Sequence, residues 1–400
     1  MNLSSGYPLW FIRNGLLYDY PRLTRNMHCD AVVIGGGISG ALMALRLQQA
    51  GFSTIVVDGR TIGLGSTCAS TSLLQYELDT PLCRLRDQIG ADKANRAYML
   101  CVQAVEGLRQ ISRLIKFLHF DDTRSIYCAA GEKHIPLLLA EMEARTEIGI
   151  RVNWLDSREL ENAYGIHAPA AVISDPSAQT DAYAFTHALH QANIAKGVKV
   201  FDRTYISNIT RKRSRFLLQT SDGIQLRCRY VVYANGYEAT EYINKHIVQL
   251  SSTYAVAGEQ MVYDHPLLRK KVLVWNTGNP YLYLRTTEDK RLVVGGRDED
   301  FRSASRRDAL IRHKSRLLAK DAGKLIPGID FRPEFSWAGT FGSTKDSLPY
   351  IGAYPGSPGI YFALGFGGNG ITFSYIAASI ITEMVSGKKA ADTDLFSFNR

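Results

Sequence analysis

The residues best suited to chemistry are three closely spaced glycines and an acidic residue that follows them. Gly35, Gly37 and Gly40 come directly after a short apolar run, and Asp58 ends a second apolar run further along the chain. Glycines with this spacing allow a tight turn, a close approach of the backbone to a pyrophosphate, and packing of the next helix on the strand. The acidic residue lies where it can accept the hydroxyl groups of an adenosine ribose. The pattern therefore predicts a strand, a helix and a strand that bind a dinucleotide, in preference to a glycine-rich structural turn.

The length and charge of the chain limit its class. The chain has 400 residues and a formal net charge of +9. We expect two domains, or one large domain with insertions, because a single core rarely grows beyond ~250–300 residues. Basic residues are dispersed, notably over residues 211–215 and 302–324, so we interpret them as solvated faces and expect no nucleic-acid partner. A functional basic surface for anionic lipid or nucleic acid is the alternative.

Cysteines, apolar segments and histidines add further limits. The six cysteines form no C-x-x-C pair, so we expect reduced thiols in a cytoplasmic protein rather than a disulfide framework or a zinc ribbon. Residues 8–12 and 371–385 are too short or too polar for a signal peptide or a membrane span, so we expect no integral membrane association.

His187 and His190 have a spacing that can bind metal, but no third ligand is evident. We therefore predict a solvated helix face and no metal site.

Apolar periodicity predicts the elements that position these residues. Helical spacing occurs over residues 91–120, 135–147 and 182–195. Strands are predicted at residues 198–201, 216–220, 225–227, 230–233, 272–275, 281–285 and 292–294. The order of these segments predicts that parts of the chain return to the nucleotide-binding unit and that other parts form a second unit.

Several short signatures occur in a fixed order along the chain. They are Gly65-Ser66-Thr67, Ala234-Asn235-Gly236, Gly258-Glu259-Gln260 and the stretches 291–296, 344–352 and 365–370. In this order, and over nearly the whole chain, they resemble the FAD-dependent oxidoreductases of the D-amino-acid oxidase family, which includes glycine oxidase, sarcosine oxidase and gamma-glutamylputrescine oxidase. The resemblance implies an α/β fold in which a Rossmann-type FAD-binding domain is interleaved with an α+β substrate domain built on a mixed sheet. The expected ranges are 1–91, 166–243 and 333–400 for the FAD-binding domain and 92–165 and 244–332 for the substrate domain.

The resemblance also implies non-covalent FAD and a set of residues that hold it. Ser66 and Thr67 are expected to bond the diphosphate or ribityl chain, and the backbone at Tyr205 to meet the adenine edge. A helix that follows residues 365–370 is expected to present its N-terminus to the flavin pyrimidine ring, which favours the reduced flavin. The full expected set is Gly35, Gly37, Ile38, Ser39, Gly40, Asp58, Gly59, Arg60, Gly65, Ser66, Thr67, Tyr205, Ala234, Gly236, Gly339, Gly367, Gly368, Asn369, Gly370 and Thr372.

Two departures from the family bear on the substrate. Relatives hold an amino-acid carboxylate with arginines where this chain has Phe341 and Gly368, so a simple α-amino-acid clamp is not expected. Sarcosine oxidase has a lysine near flavin N5 for oxygen activation, whereas the matching strand here has only valines, so reaction with oxygen is neither supported nor excluded.

The remaining candidates for contact with substrate are polar or aromatic residues near the expected flavin. They are Arg297, Arg285, Tyr283, Gln75 and Phe341. A planar guanidinium such as that of Arg297 can bind a carboxylate through two hydrogen bonds. The alternatives are a surface ion pair of Arg297 with Asp298, Glu299 or Asp300, a solvent-facing strand for Arg285 and Tyr283, and a turn for Gln75.

These features together favour oxidation of a C–N bond in a small amine or amino acid, by hydride transfer to flavin N5. Oxygen or another electron acceptor is expected to reoxidise the flavin. The first alternative is an FAD-dependent dehydrogenase of a 2-hydroxyacid or polyol phosphate that passes electrons to a quinone. That reaction needs a base, and the expected flavin-facing segments contain no histidine. The second alternative is a flavin-bound interaction or sensor protein without turnover.

Overall fold

The computed structural model describes residues 3–243, 247–262, 264–388 and 390–400. The helices in these ranges are α1 Leu9–Asn14, α2 Ile38–Gln49, α3 Ser66–Ala69, α4 Leu82–Ile89, α5 Ala91–Leu114, α6 Ile135–Glu147, α7 Ser157–Tyr164, α8 Ala182–Ala195, α9 Pro266–Lys270, α10 Ala304–Leu325 and α11 Gly370–Val385. The first strands are β1 Ser4–Gly6, β2 Met27–His28, β3 Ala31–Ile34, β4 Thr54–Val57, β5 Leu73–Leu74, β6 Phe120–Cys128, β7 Val152–Asp156, β8 Ala170–Thr180, β9 Lys199–Phe201 and β10 Ile206–Lys212. The others are β11 Arg215–Thr220, β12 Gln225–Cys228, β13 Tyr230–Tyr233, β14 Gln249–Gly258, β15 Val272–Asn276, β16 Leu282–Thr286, β17 Leu292–Asp300, β18 Pro333–Ser343, β19 Tyr350–Ala353 and β20 Ile360–Leu364.

A six-stranded sheet carries the glycine turn. Its order is β19-β20-β13-β3-β4-β9, with five parallel strands and an antiparallel edge at β19. Apolar side chains of α2, α5, α8 and α11 share the largest core cluster with this sheet. Helices cover one face of the sheet, and strands β11 and β12 pack on the other. Because both faces are covered, the central strands are mostly apolar rather than alternating. The predicted strand, helix and strand around the glycines are confirmed as β3, α2 and β4.

A ten-stranded mixed sheet forms the second unit. Its order is β1-β18-β14-β17-β16-β15-β6-β8-β5, and β7 pairs with β8. A separate apolar core lies between this sheet and helices α7 and α10. The expected combination of a Rossmann-type unit with a unit built on a mixed sheet is thereby confirmed. A third sheet, in the order β10-β11-β12-β2, contains the strands predicted at residues 216–220 and 225–227. The strand predicted at residues 230–233 is instead β13 of the six-stranded sheet.

The long predicted helix at 91–120 is shorter than expected. Helix α5 ends at Leu114, and Lys116 adopts a left-handed backbone conformation with φ 55°. An L-residue in that conformation cannot continue a right-handed helix. The last part of the predicted helix instead leads into β6, which crosses the large sheet.

Strand pairing places several segments differently from the expected domain ranges. Strands β8 and β18 belong to the large sheet, although 166–243 and 333–400 were assigned to the FAD-binding domain. Helix α5 packs in the core of the six-stranded sheet, although 92–165 was assigned to the substrate domain. We therefore propose to move β8 and β18 to the substrate domain and α5 to the FAD-binding domain. Residues 244–246 and 263 of the expected substrate domain lie outside the described residues.

Among the helices in the described parts of the chain, none combines the length and apolarity needed to cross a lipid bilayer.

A buried ion network joins α6 to the segment that follows β5. The Arg145 side chain is 0% exposed; its Nε donates to Glu141 Oε1 at 2.7 Å and its Nη1 to Glu77 Oε1 at 3.3 Å. Although burial alone would raise the pKa of Glu141, Arg145 and the backbone N–H groups of Leu82 and Cys83 hold that pKa below its ordinary value. The guanidinium therefore neutralises carboxylates that have no access to water.

We predict that Arg145→Met destabilises the protein by about 3–5 kcal/mol, because it leaves buried carboxylates without their counter-ion. The control is Arg269→Met, which removes an exposed ion pair with Asp264 and is expected to cost less than about 1 kcal/mol. Urea unfolding followed by circular dichroism at saturating FAD measures both changes. Equal effects of the two substitutions would contradict the prediction.

Candidate active site

A cavity of about 490 Å³ extends from the glycine turn to the large sheet. At one end it is lined by the turn after β3, by the residues after β4 and by residues 234–238. At the other end it is lined by β16, β17 and β18 and by the segment that follows β5. The cavity therefore lies at the carboxyl ends of the parallel strands, where open α/β sheets bind their ligands.

The glycine turn is enforced by close backbone contacts. Gly35 has a φ of 112°, and a Cβ there would lie only 2.4 Å from the Ala234 carbonyl oxygen. A Cβ on Gly40 would overlap the Gly35 carbonyl oxygen. A side chain at Gly35 would push the turn away from the end of β13, and one at Gly40 would push the first turn of α2 away from β3. Glycine is therefore required here by geometry.

Asp58 fixes the same turn from the next strand. Its Oδ2 accepts a hydrogen bond from the Gly36 backbone N–H at 2.7 Å, and its Oδ1 accepts one from the Arg60 backbone N–H at 2.8 Å. Burial raises the pKa of Asp58 despite these two hydrogen bonds. The carboxylate lines the cavity, so it is placed to accept ribose hydroxyl groups as well.

The residues around the turn fit a dinucleotide such as FAD. Helix α2 begins at Ile38, whose N–H donates to Thr67 Oγ1 at 3.1 Å, and its N-terminus lies at the cavity end with a partial positive charge. The Ser66 Oγ and the Asn235 Oδ1 are buried cavity-lining atoms that have no hydrogen-bond partner among the described residues. Buried polar atoms of this kind normally bind a ligand or a protein group.

Most of the expected FAD-binding residues line this cavity. Two do not: Gly40 packs against Gly35, and the Thr372 Oγ1 donates to the Gln75 carbonyl oxygen at 3.2 Å. Tyr205 precedes β10 and lies against Gly59. The remaining members that line the cavity are Gly35, Gly37, Ile38, Ser39, Asp58, Gly59, Arg60, Gly65, Ser66, Thr67, Tyr205, Ala234, Gly236, Gly339, Gly367, Gly368, Asn369 and Gly370.

Aromatic side chains form the end of the cavity at the large sheet. Gln75, Tyr283 and Phe341 line it as expected, together with Trp275 and Tyr281. The Trp275 ring stacks on Tyr127 with centroids 3.7 Å apart, and its Nε1 donates to Ser125 Oγ at 3.2 Å. Gln75 Nε2 donates to the same hydroxyl oxygen at 3.2 Å. These contacts fix the orientation of the cavity wall.

The structure places Arg285 outside the cavity, which corrects the expectation that it contacts substrate. Its side chain is 3% exposed, and its Nη1 donates to the carbonyl oxygens of Ser72 at 2.9 Å and Thr180 at 2.8 Å. Its guanidinium lies over the Trp10 ring, and burial lowers its pKa to about 10. Arg285 therefore supports the wall from behind.

Arg297 also lies outside the cavity. Its Nε and Nη2 donate to the two carboxylate oxygens of Asp321 on α10, at 2.6 and 2.7 Å. Arg297 forms an ion pair, as the alternative interpretation had it, but its partner is Asp321 rather than Asp298, Glu299 or Asp300. Arg297 has a φ of 60°, and it forms a β-bulge with Asp298 opposite Thr253. Because of the bulge, Asp298 lines the cavity and Arg297 does not.

The prediction of a solvated face for His187 and His190 is wrong. Both side chains are fully buried, because α8 packs against α2 and against the N-terminal segment around Tyr20. His187 Nδ1 lies 2.9 Å from the Tyr20 hydroxyl, and His190 Nε2 lies 3.0 Å from the Gly36 carbonyl oxygen. Burial lowers the pKa of each histidine to about 4, so both are neutral at neutral pH. His190 thus supports the glycine turn.

Sequence reasoning missed several cavity residues, among them Asp79, Trp275, Tyr281 and Asp298. Asp79 Oδ2 accepts from the Gly368 backbone N–H at 3.0 Å, and its Oδ1 accepts from the Tyr281 hydroxyl at 3.3 Å. The run Asp-Glu-Asp after Arg297 was a signal for an acidic wall, but it was interpreted only as a source of partners for Arg297.

Comparisons with known proteins agree with this geometry. A family model described as FAD dependent oxidoreductase matches residues 30–384. Glycine oxidase from Geobacillus kaustophilus (strain HTA426) is 25% identical, over 93% of this chain and 97% of that protein. Gamma-glutamylputrescine oxidoreductase from Escherichia coli (strain K12) is 23% identical, over 92% of this chain and 86% of that protein.

Solved structures share the fold. The crystal structure of glycine oxidase from Geobacillus kaustophilus superposes with a TM-score of 0.77 at 22% identity, over 93% of this chain and 99% of that chain. L-Proline dehydrogenase from P. horikoshii superposes with a TM-score of 0.77 at 19% identity, over 94% of this chain and 97% of that chain. With the family match over most of its length and a cavity that fits the cofactor, this chain belongs to the family of FAD-dependent oxidoreductases.

Proposed function

We propose that the protein oxidises a C–N bond of a small amine or amino acid, with oxygen or another molecule as the final electron acceptor. Bound FAD supplies a hydride acceptor at its N5 atom. The observation that carries the proposal is the continuity of one cavity from the glycine turn to an aromatic end lined by Trp275, Tyr281 and Tyr283. A small substrate held there lies next to the end of the dinucleotide site that is opposite Asp58.

The names of relatives support this choice. Glycine oxidase and gamma-glutamylputrescine oxidoreductase are named for nitrogen compounds, and they match nearly the whole chain. We propose that Gln75, Tyr283 and Phe341 contact the substrate and that the expected FAD-binding residues that line the cavity hold FAD. The free thiols of the six cysteines support our further proposal of a cytoplasmic location.

The chain's own residues would serve mainly to position the reactants. Asn369 Nδ2 donates to the carbonyl oxygens of Gln75, at 3.2 Å, and Glu77, at 2.7 Å. These bonds hold the first turn of α11 against the cavity wall, with no side-chain cap on its N-terminal N–H groups. The partial positive charge of that helix end favours negative charge beside it, which supports its proposed place next to the flavin ring.

The hydroxyacid or polyol phosphate alternative is less well supported. Carboxylate and phosphate groups need a cation or several N–H donors for binding. Among the described residues that line the cavity, Arg60 is the only basic one, and it forms an ion pair with Glu238. Histidine and lysine are missing from the described lining, so a base for a carbinol hydroxyl group would have to be one of its carboxylates.

We predict that protein produced with added FAD carries the flavin and that amines bleach its visible absorbance under anaerobic conditions. 2-Hydroxyacids and polyol phosphates are expected to leave the absorbance unchanged. The measurement is the flavin spectrum before and after each compound. Bleaching by hydroxyacids alone would support the dehydrogenase alternative, and no bleaching by any class would support a protein without turnover.

We predict that Gly40→Ala weakens FAD binding by about 1–3 kcal/mol, because the added methyl group forces backbone apart in a packed turn. Gly131→Ala is the matched control, since its φ is 174° and a Cβ there would meet no atom within 4 Å. Titration of each apoprotein with FAD, followed by quenching of flavin fluorescence, gives the dissociation constants. An unchanged constant for Gly40→Ala would show that the turn does not hold the cofactor.

A further inference from the structure

The cavity carries a charge opposite to that of the whole chain. The formal net charge of the chain is +9. In contrast, the acidic residues that line the cavity are Asp58, Glu77, Asp79, Glu238, Glu241 and Asp298, and Arg60 is the only basic lining residue that the structure describes. Because Asp58, Glu238 and Arg60 cluster at the nucleotide end, the carboxylates at the other end have no basic neighbour in the lining.

Asp79 and Asp298 lie at the end of the cavity that is opposite the nucleotide end. The Tyr283 ring lies beside Tyr281, with centroids 5.7 Å apart, and Tyr281 donates its hydroxyl hydrogen to Asp79. Asp298 is half-buried, and its Oδ1 is shielded from solvent without a hydrogen-bond partner among the described residues. Two carboxylates and two electron-rich rings thus face one chamber.

Glu77, which is paired with Arg145, adds a third carboxylate to this part of the lining. Its side chain is 3% exposed and it lines the cavity. Its Oε1 accepts from Arg145 and from Ser174, whereas its Oε2 is buried without a partner among the described residues. A buried carboxylate oxygen that lacks a donor is costly unless a bound group supplies one.

We propose that the inner end of the cavity is a cation-binding subsite formed by Asp79 and Asp298, so that the amine oxidised here carries a second positive charge and no free carboxylate. This inference rests on the proposed amine oxidation and adds the class of substrate: a diamine or a longer polyamine. The carboxylates attract a distal ammonium group, and the faces of Tyr281 and Tyr283 stabilise a cation by their π electrons. A carboxylate at the same position would be repelled.

Binding of three ligands with the same four-carbon chain tests the proposal. They are 1,4-diaminobutane, 4-amino-1-butanol and 4-aminobutanoate, which differ only in a distal ammonium, hydroxyl or carboxylate group. Isothermal titration of the dithionite-reduced holoenzyme under nitrogen measures affinity without turnover. We expect the diamine to bind roughly tenfold or more tightly than the amino alcohol, which is the scale of one charge-assisted contact, and 4-aminobutanoate to bind most weakly. A diamine that binds no more tightly than the amino alcohol would overturn the proposal, as would stronger binding of 4-aminobutanoate.

Isosteric variants assign the effect to the two carboxylates. Asp298→Asn and Asp79→Asn are expected to weaken diamine binding roughly tenfold each and to strengthen 4-aminobutanoate binding. The gain for 4-aminobutanoate is a result that a folding defect would not produce. Asp300→Asn is the control, because Asp300 lies on the same strand, is exposed, bonds to Gln249 and does not line the cavity. Unchanged affinities in both cavity variants would refute the subsite.

The outcomes for the subsite and for the proposed reaction can be separated. Protein that binds flavin and selects the diamine but is not bleached by it would retain the subsite and reject the amine oxidation. Protein that is bleached by amines but shows no preference for the second charge would retain the reaction and reject the subsite.

We also predict that diamine binding tightens as pH rises from about 5 to about 7, because a carboxylate attracts a cation only when it is ionised. Burial, and then the charge of Asp79, raise the pKa of Asp298 to about 6, while a hydrogen bond with Thr253 and the charge of Lys314 oppose that shift. Lys314 binds the Arg297 carbonyl oxygen and Glu299 and does not line the cavity. Burial raises the pKa of Asp79 as well. Titrations at several pH values measure the change, which should be smaller in Asp298→Asn than in the unaltered protein. The same slope in that variant would exclude Asp298 as the titrating group.

Discussion

Two buried guanidinium groups fix the wall on which the rest of the site depends. A buried cation is tolerated only when acceptors surround it, so each arginine dictates where nearby carbonyl and carboxylate groups must lie. Arg285 holds the Ser72 carbonyl oxygen at one end of the wall, and Arg145 holds the Glu77 carboxylate at the other. The backbone between these residues is thereby tied to β16 of the large sheet at one end and to α6 at the other. Its shape is set by groups that never reach the cavity.

That wall also links the two sheets. The carbonyl oxygens of Gln75 and Glu77 accept hydrogen bonds from Asn369, at the start of α11, and Gln75 accepts one from Thr372 as well. Helix α11 packs in the core of the six-stranded sheet. The wall therefore connects the six-stranded sheet to the large sheet. The chamber at the large sheet and the nucleotide end therefore keep a fixed separation. This fixed separation is what a reaction between a bound cofactor and a small substrate requires.

The sequence predicted the parts of the structure that local sterics determine. The turn at Gly35 and Gly40 is a contact between residues close in the chain, so spacing alone was sufficient to predict it. The long strands β14 and β18 were not predicted, because both have neighbours on each side in the large sheet and lack a clean alternation of polar and apolar residues. The burial of His190 and the pairing of Arg297 with Asp321 depend on distant segments. The residue type of Arg285 and Arg297 suggested contact with substrate. Partners that are distant in the sequence instead hold both side chains outside the cavity.

The bulge in β17 shows how such a site can change character. Between the pairs Gly296 with Tyr254 and Glu299 with Ser252, β17 contains two residues where β14 contains one. Which side chain enters the chamber is therefore governed by the number of residues between these anchors as well as by their identity. Loss of one residue at this point in evolution would shift the strand's inward positions. An insertion or deletion of a single codon here would thus exchange the side chain that this strand presents to the chamber, and with it the charge of that part of the wall.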